Sequence, residues 1–232
     1  MPTKLNKRTK ANEAARVEGA IAAGDAFKAL KKFKGPKFDQ SVEVCFHLGV
    51  DVKQADQMIR GSVSLPKGIG KAKRVIAFCK PEVEKLAKEA GAIEAGGADL
   101  VRKVEGGWSE FDVAIASPDM MREISTLGRT LGPRGLMPSP KNGTVTPKVT
   151  EAVAEFAAGK VEYRTDKGGN IHAVIGKMSF PEDDLVENYN HFADTIERAR
   201  PSTVKGEYVK KITVSGTMTP GVQVAFESGS VE

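Results

Sequence analysis

Two apolar runs constrain this 232-residue chain more than any other feature: Arg74-Val-Ile-Ala-Phe-Cys79, continuous after its first residue, and Phe111 to Ala116, interrupted only by Asp112. A strand with one wet face alternates apolar and polar residues. An unbroken run needs cover on both faces, as in a parallel sheet packed between helices. The neighbouring segments agree with that requirement. Pro81 opens a helix through Leu86 to Ala90, a glycine-rich turn leads into a helix over Ala98 to Val104, and Ser117-Pro118-Asp119 opens another. Strand and helix alternate in this way across residues 68–159, which predicts a small α/β unit forming its own domain.

The flanking segments follow other periods. A helix is predicted from Glu13 through Val17 and Ile21 to Gly24. A second begins with Asp25 as its N-cap, carries Phe27, Leu30 and Phe33, and stops at Gly35-Pro36. From Ser41 the pattern becomes period two, with Val42, Val44, Phe46 and Leu48 set against Glu43, Cys45 and His47, the mark of a half-buried strand. Beyond Gly159, the stretches Val161 to Thr165 and Ile171 to Gly176 flank the turn Asp166 to Asn170 and predict a hairpin. Pro181 then starts a helix in its first turn. Glu182, Asp183 and Asp184 lie at its positive end, and Leu185, Tyr189, Phe192 and Ile196 recur at helical spacing. Arg198, Arg200 and Pro201 close it, and a final strand covers Tyr208 to Ser215.

Several functional classes fail on the residues. The longest stretch free of charge, Ile212 to Phe226, has 15 residues, short of the roughly 20 that a membrane helix needs. The N-terminus, with Lys4, Lys7, Arg8 and Lys10 followed by an Ala-rich stretch broken by acids, lacks the apolar core of a secretory signal, so the chain reads as cytoplasmic. Cys45 and Cys79 stand in separate strand-like runs and read as buried thiols. Gly70-Lys71 and Gly176-Lys177 are followed by Ala72 and Met178, not by the hydroxyl residue of a phosphate loop. Gly68-Ile-Gly70 precedes its strand and has Lys73 where a dinucleotide fingerprint needs glycine. Cys45 and His47 could share a strand face, but no second pair at zinc spacing accompanies them, so no metal, cofactor or catalytic group is expected. An α/β enzyme for a phosphorylated ligand and a DNA-binding regulator stand as rival readings.

The net charge of +5 is unevenly spread. Residues 1–67 hold 13 basic and 7 acidic residues, against 13 and 12 over 68–159 and 9 and 11 over 160–232. Basic side chains gather in acid-free stretches such as Lys31 to Lys37, which suit either a polyanion or a solvated surface. The loop Gly128 to Gly143 combines four glycines, three prolines and the cations Arg129, Arg134 and Lys141 without one acid. It reads as a phosphate-facing loop or a rigid connector.

Five segments resemble the ribosomal protein L1 family, the mobile-stalk proteins of the large ribosomal subunit, and its bacterial form most closely. They are Lys37-Phe-Asp-Gln-Ser-Val-Glu-Val44, Asp56-Gln-Met-Ile-Arg-Gly-Ser-Val-Ser-Leu-Pro66, the Gly128 to Gly143 loop, Arg164-Thr-Asp-Lys-Gly-Gly-Asn-Ile-His172 and Thr217-Met218. The resemblance implies an α/β (α+β) fold in two domains. One is discontinuous, residues 1–67 plus 160–232, and binds RNA; the other, 68–159, is an inserted Rossmann-like three-layer α/β domain. It implies a non-enzymatic protein that binds large-subunit ribosomal RNA at the stalk among other ribosomal components. Release of deacylated exit-site tRNA and repression of the protein's own operon messenger RNA are implied as well. Carried over, the RNA-binding residues are Lys37, Phe38, Ser41, Arg164, Asp166, Lys167, His172, Thr217 and Met218, with Arg129, Arg134 and Lys141 as a secondary RNA or tRNA contact. Cations would meet phosphates, Phe38 would offer a stacking face, and hydroxyls would reach 2′-hydroxyls. Thr219 stands where the family usually has Gly; if close backbone approach is what that turn needs, Thr219→Gly leaves affinity equal or improved.

Overall fold

The computed structural model describes residues 6–54 and 56–226; Lys4 of the basic N-terminal stretch lies outside them. In chain order the elements are α1 (Lys7–Ala14), β1 (Ala20–Ile21), α2 (Ala23–Lys32), β2 (Ser41–Leu48), β3 (Arg60–Val63), β4 (Val75–Phe78), α3 (Pro81–Glu89), β5 (Glu94–Gly96) and α4 (Ala98–Glu105). There follow β6 (Val113–Ala116), α5 (Met121–Ile124), α6 (Gly128–Leu131), α7 (Val149–Ala157), β7 (Val161–Arg164), β8 (Asn170–Lys177), α8 (Glu182–Arg198), β9 (Val209–Gly216) and β10 (Val222–Val224). The fold is of the α/β class, and its packing divides it into two compact units. The first holds Met1–Ile59, Leu65–Gly70 and Tyr163–Glu232; the second holds Arg60–Ser64 and Lys71–Glu162.

These bounds differ by a few residues from the 67/68 and 159/160 junctions drawn from sequence. Side-chain hydrogen bonds account for the difference. Asn142 accepts from Arg60 Nε at 2.6 Å and donates to Glu162 Oε2 at 2.5 Å, drawing Arg60 and Glu162 into the second unit. Asn188 on α8 accepts from Lys67 N at 3.0 Å and donates to the Gly68 carbonyl at 3.0 Å, holding residues 65–70 to the first.

In the second unit β5, β4 and β6 form a parallel sheet in that order. Alternate residues of β4 feed opposite cores. Val75, Ala77 and Cys79 pack with Val149, Val153 and Phe156 on one face, while Ile76 and Phe78 pack with Leu100, Val104, Ile124, Leu127 and Leu131 on the other. That double cover is why the run carries no polar residue. The 128–143 segment is less open than a loop: its first four residues form α6 with Leu131 in the core, and Pro140–Asn142 make a 3-10 turn. Ser117-Pro118-Asp119 likewise opens a 3-10 turn, Pro118–Met120, before α5.

The first unit is a five-stranded sheet, β1-β10-β9-β2-β8, with α2 and α8 supplying the apolar cover. Phe46 lies 6.4 Å from Tyr189 and 5.6 Å from Phe192, centroid to centroid, in the middle of that core. Five sequence expectations fail here. The first helix runs Lys7–Ala14 instead of Glu13 to Gly24, because Asn6 caps it by accepting from Thr9 N, and Gly19 at φ +85° ends any helical path. Ile21 then pairs with Val224. Ala22 holds the N-cap position of α2, with Asp25 inside the first turn, and Pro181 is likewise the N-cap residue of α8. The hairpin reduces to the single bridge Thr165↔Ile171: β7 pairs β3 while β8 pairs β2. One strand beyond the expected last, β10, folds back on β9, because the proline-containing turn at 217–221 reverses the chain.

Candidate nucleic-acid interface

Strand register lays out the face of the first unit's sheet opposite the helices. Along β2, Val42, Val44, Phe46 and Leu48 point to the core, so Ser41, Glu43, Cys45 and His47 share the other face. Their partners are Lys177, Val174, His172 and Asn170 on β8 and Ser215, Thr213 and Lys211 on β9. At ~3.4 Å per residue this polar face is about 20 Å long from Ser41 to His47.

One end is built by the two segments that continue β2 and β9. Thr217 N donates to the Ser41 carbonyl at 3.1 Å, and Ser41 N donates to Thr217 Oγ1 at 3.2 Å. Lys177 Nζ donates to Ser41 Oγ at 2.8 Å. Asp39 accepts from Ser179 N and Oγ at 3.2 and 2.8 Å, fixing the approach to β2. On this frame Phe38 is 55% exposed and Met218 50% exposed, two of the few large apolar side chains open to solvent. That excludes Phe38 from the core. Lys37 stands beside it, exposed and without an ion-pair partner among the described residues.

The other end is the turn between β7 and β8. Asp166 Oδ1 accepts from Gly168 N and Asn170 N, both at 2.8 Å, and Oδ2 accepts from Asn170 Nδ2 at 3.1 Å. Those donors, the Asn170 amide foremost, hold its carboxyl below the ordinary aspartate range. Asp166 thus shapes the turn that presents Lys167, and the basic side chain facing it is His172, with Nε2 at 3.6 Å, not Arg164. Arg164 and Lys167 are exposed and unpaired among the described residues and line a shallow cleft with Val52, Met58 and Thr165.

Cys45 Sγ lies 4.0 Å from His172 Nε2, the same nitrogen that faces Asp166. A Cys-His-Asp relay needs the two ring nitrogens to serve different partners, so this row is no nucleophile. Cys45 is only half-buried, on the open face of β2, where the sequence suggests a buried thiol as at Cys79; that partial burial, then Asp166, pushes its thiol above the ordinary value. Among the described residues no three His, Cys, Asp or Glu side chains stand together as a metal site requires.

Of the nine carried-over residues, five lie at the Ser41 end of the face and His172 lies within it opposite Cys45, while Arg164, on β7 of the separate two-stranded sheet, and Asp166 and Lys167, in the turn that leads into β8, stand beyond its other end. Arg129, Arg134 and Lys141 belong to the second unit, where all three are exposed. Sequence reasoning missed Glu43, Lys177, Thr213 and Ser215 on the face between. The period-two pattern from Ser41 places Glu43 there, but the others need the register.

The model of the Ribosomal protein L1p/L10e family matches residues 30–220. The chain belongs to that family. The matched span takes in all nine carried-over residues and leaves α1, β1 and β10 outside. As an L1 family member the chain is a large-subunit ribosomal protein that binds ribosomal RNA, from a family of structural RNA-binding proteins and not of enzymes. No helix among the described residues is long and apolar enough to cross a membrane.

Proposed function

We propose that the polar sheet face of the first unit is the surface on which this L1 family protein holds the stalk region of large-subunit ribosomal RNA. The observation that carries the reading is the pairing of two exposed apolar side chains, Phe38 and Met218, with unpaired cations on hydrogen-bonded frames. A soluble surface has little reason to expose a Phe and a Met on two anchored segments unless a partner covers them. Lys37, Arg164 and Lys167 then neutralise phosphates, Phe38 stacks on a splayed base or ribose, and the Ser41 and Thr217 hydroxyls and His172 face 2′-hydroxyls and base edges. Glu43, exposed mid-face, disfavours a phosphate there and suits a donor such as a 2′-hydroxyl or amino group.

The same face would take the protein's own operon messenger RNA if that RNA presents the stalk's shape, which makes the two RNAs competitors and the protein a translational repressor. Arg129, Arg134 and Lys141 in the second unit serve the exit-site tRNA as it leaves deacylated. The protein works on the ribosome in the cytoplasm, and the two units act as domains: 1–67 with 160–232 for ribosomal RNA, 68–159 as the inserted Rossmann-like one.

The test joins residues 1–67 to 160–232 through a short linker and titrates stalk RNA. The expected result is a folded protein binding nearly as tightly as the full chain, with full-length protein captured equally by stalk and operon RNA and not by duplex DNA. Loss of stalk-RNA binding in a shortened protein with native circular dichroism would move the principal site into the second unit.

A further inference from the structure

Gln40 is 3% exposed, so no RNA reaches it, yet it touches both segments that carry the apolar pair. Its Oε1 accepts from Met218 N at 2.8 Å. Its Nε2 lies where a Cβ on Gly35 would come within 2.7 Å, so the amide is pressed against the backbone leading to Lys37 and Phe38. Its own carbonyl accepts from Met178 N at 2.9 Å. One buried amide therefore ties the 35–41 segment to the turn that presents Met218.

Thr219 closes the same spot from the other side. Its Oγ1 accepts from Gly216 N at 2.9 Å, and its N donates to the Gly216 carbonyl at 3.2 Å. A Cβ on Gly216 would lie 2.9 Å from Thr219 Oγ1 and 3.4 Å from Gln40 Oε1, so the three residues fill one interior volume beneath the turn. Among the described residues only glycines have a positive φ, so position 219 does not require glycine. The Thr219 hydroxyl points inward, satisfying an amide, instead of standing between turn and ligand.

We propose that buried Gln40 and half-buried Thr219 form a latch that holds the 216–219 turn and the Phe38 segment in their RNA-binding arrangement before RNA arrives. Gln40 and Thr219 are positioning residues, and the inference rests on the reading that this face binds stalk RNA. Without the latch the turn must be ordered on binding, at ~1–2 kcal/mol per residue fixed. Because 1.4 kcal/mol is about tenfold in affinity, the latch is worth roughly 5- to 30-fold if one residue is freed. The glycine expectation from sequence is thereby reversed: Thr219→Gly loses the hydroxyl and weakens binding.

The experiment measures stalk-RNA affinity against salt, together with thermal stability, for Gln40→Leu, Gln40→Glu, Thr219→Val, Thr219→Ser and, as reference, Lys37→Ala. Expected are roughly 5- to 30-fold losses for Gln40→Leu and Thr219→Val with the salt slope unchanged, because no phosphate contact is removed. Thr219→Ser, which keeps the acceptor oxygen, restores most of the affinity, whereas Gln40→Glu, which keeps the acceptor but buries an uncompensated charge, restores less. Amide exchange at Met218 and Gly216 in the free protein should accelerate in the weakened variants only. If Gln40→Leu does not fold, Thr219→Val decides alone, since it keeps the side-chain volume. Wild-type affinity in Thr219→Val, while Lys37→Ala weakens binding, would overturn the latch. Wild-type affinity and slope in Lys37→Ala as well would instead overturn the assignment of the face.

Discussion

Removing the cations of the sheet face has an effect on RNA binding that can be worked out in advance. Lys37, Arg164 and Lys167 are exposed and unpaired among the described residues, so each can be changed to Ala without breaking an ion pair or opening a cavity. Stability should therefore shift by no more than about 0.5 kcal/mol per site. Removing one cation from a phosphate lowers the magnitude of the slope of log affinity against log salt by about 0.7 to 0.9, the single-strand and duplex values. Between roughly 50 and 200 mM salt, about a fourfold change, one such cation then accounts for about 2.6- to 3.5-fold of the salt-induced weakening, and all three for roughly 18- to 40-fold. The triple variant should thus bind weakly at low salt and show a much flatter salt response, equally for preferred and scrambled RNA of similar shape, because phosphates carry no sequence. Fluorescence anisotropy of labelled stalk RNA across that salt range measures it. Lys148→Ala is the control, since Lys148 pairs with Glu151 at 3.1 Å in the second unit. An unchanged slope in the triple variant at native thermal stability would refute the face as the phosphate-binding surface.

Two further outcomes follow from single side chains. Asp166→Asn should reduce the acid sensitivity of folding. The folded carboxyl is held below its unfolded value by the turn's amides, so its stabilisation is complete above the unfolded value near 3.8 and is lost as pH falls through the folded one. The melting-temperature gap between wild type and Asp166→Asn should accordingly shrink as pH drops from about 5 toward about 2; a gap that widens would contradict the hydrogen-bond account. Phe46→Ala, at a side chain that is 0% exposed between Tyr189 and Phe192, should cost about 3–5 kcal/mol in chemical denaturation. A loss below about 1 kcal/mol would mean that the core of the first unit collapses around the gap.

What the residues alone determined is what short-range chemistry determines. Arg74 to Cys79 has no polar residue after its first, and such a strand must be covered twice, so the α/β character of the middle segment and the helices opened by Pro81 and Ala98 were legible. Period two from Ser41 set the buried and open faces of β2, and the spacing of Leu185, Tyr189, Phe192 and Ile196 set the buried stripe of α8. The family-like segments around Lys37, Arg164 and Thr217 were equally readable, because each is a contiguous string. Pairing between distant segments was not. Whether β8 pairs β7 or β2 turns on hydrogen bonds between residues more than 120 apart, as between Cys45 and His172, and a turn signal at 166–170 cannot weigh them. The first helix was misplaced for a like reason: buried Asn12, which donates to and accepts from the backbone of Lys34, anchors a segment with almost no apolar face of its own. In sequence Gln40 reads as an ordinary polar residue, and Thr219 stands out only as a departure from the family's glycine. Only packing, which buries one and turns the other's hydroxyl inward, makes the free energy of an unpaired amide depend on them.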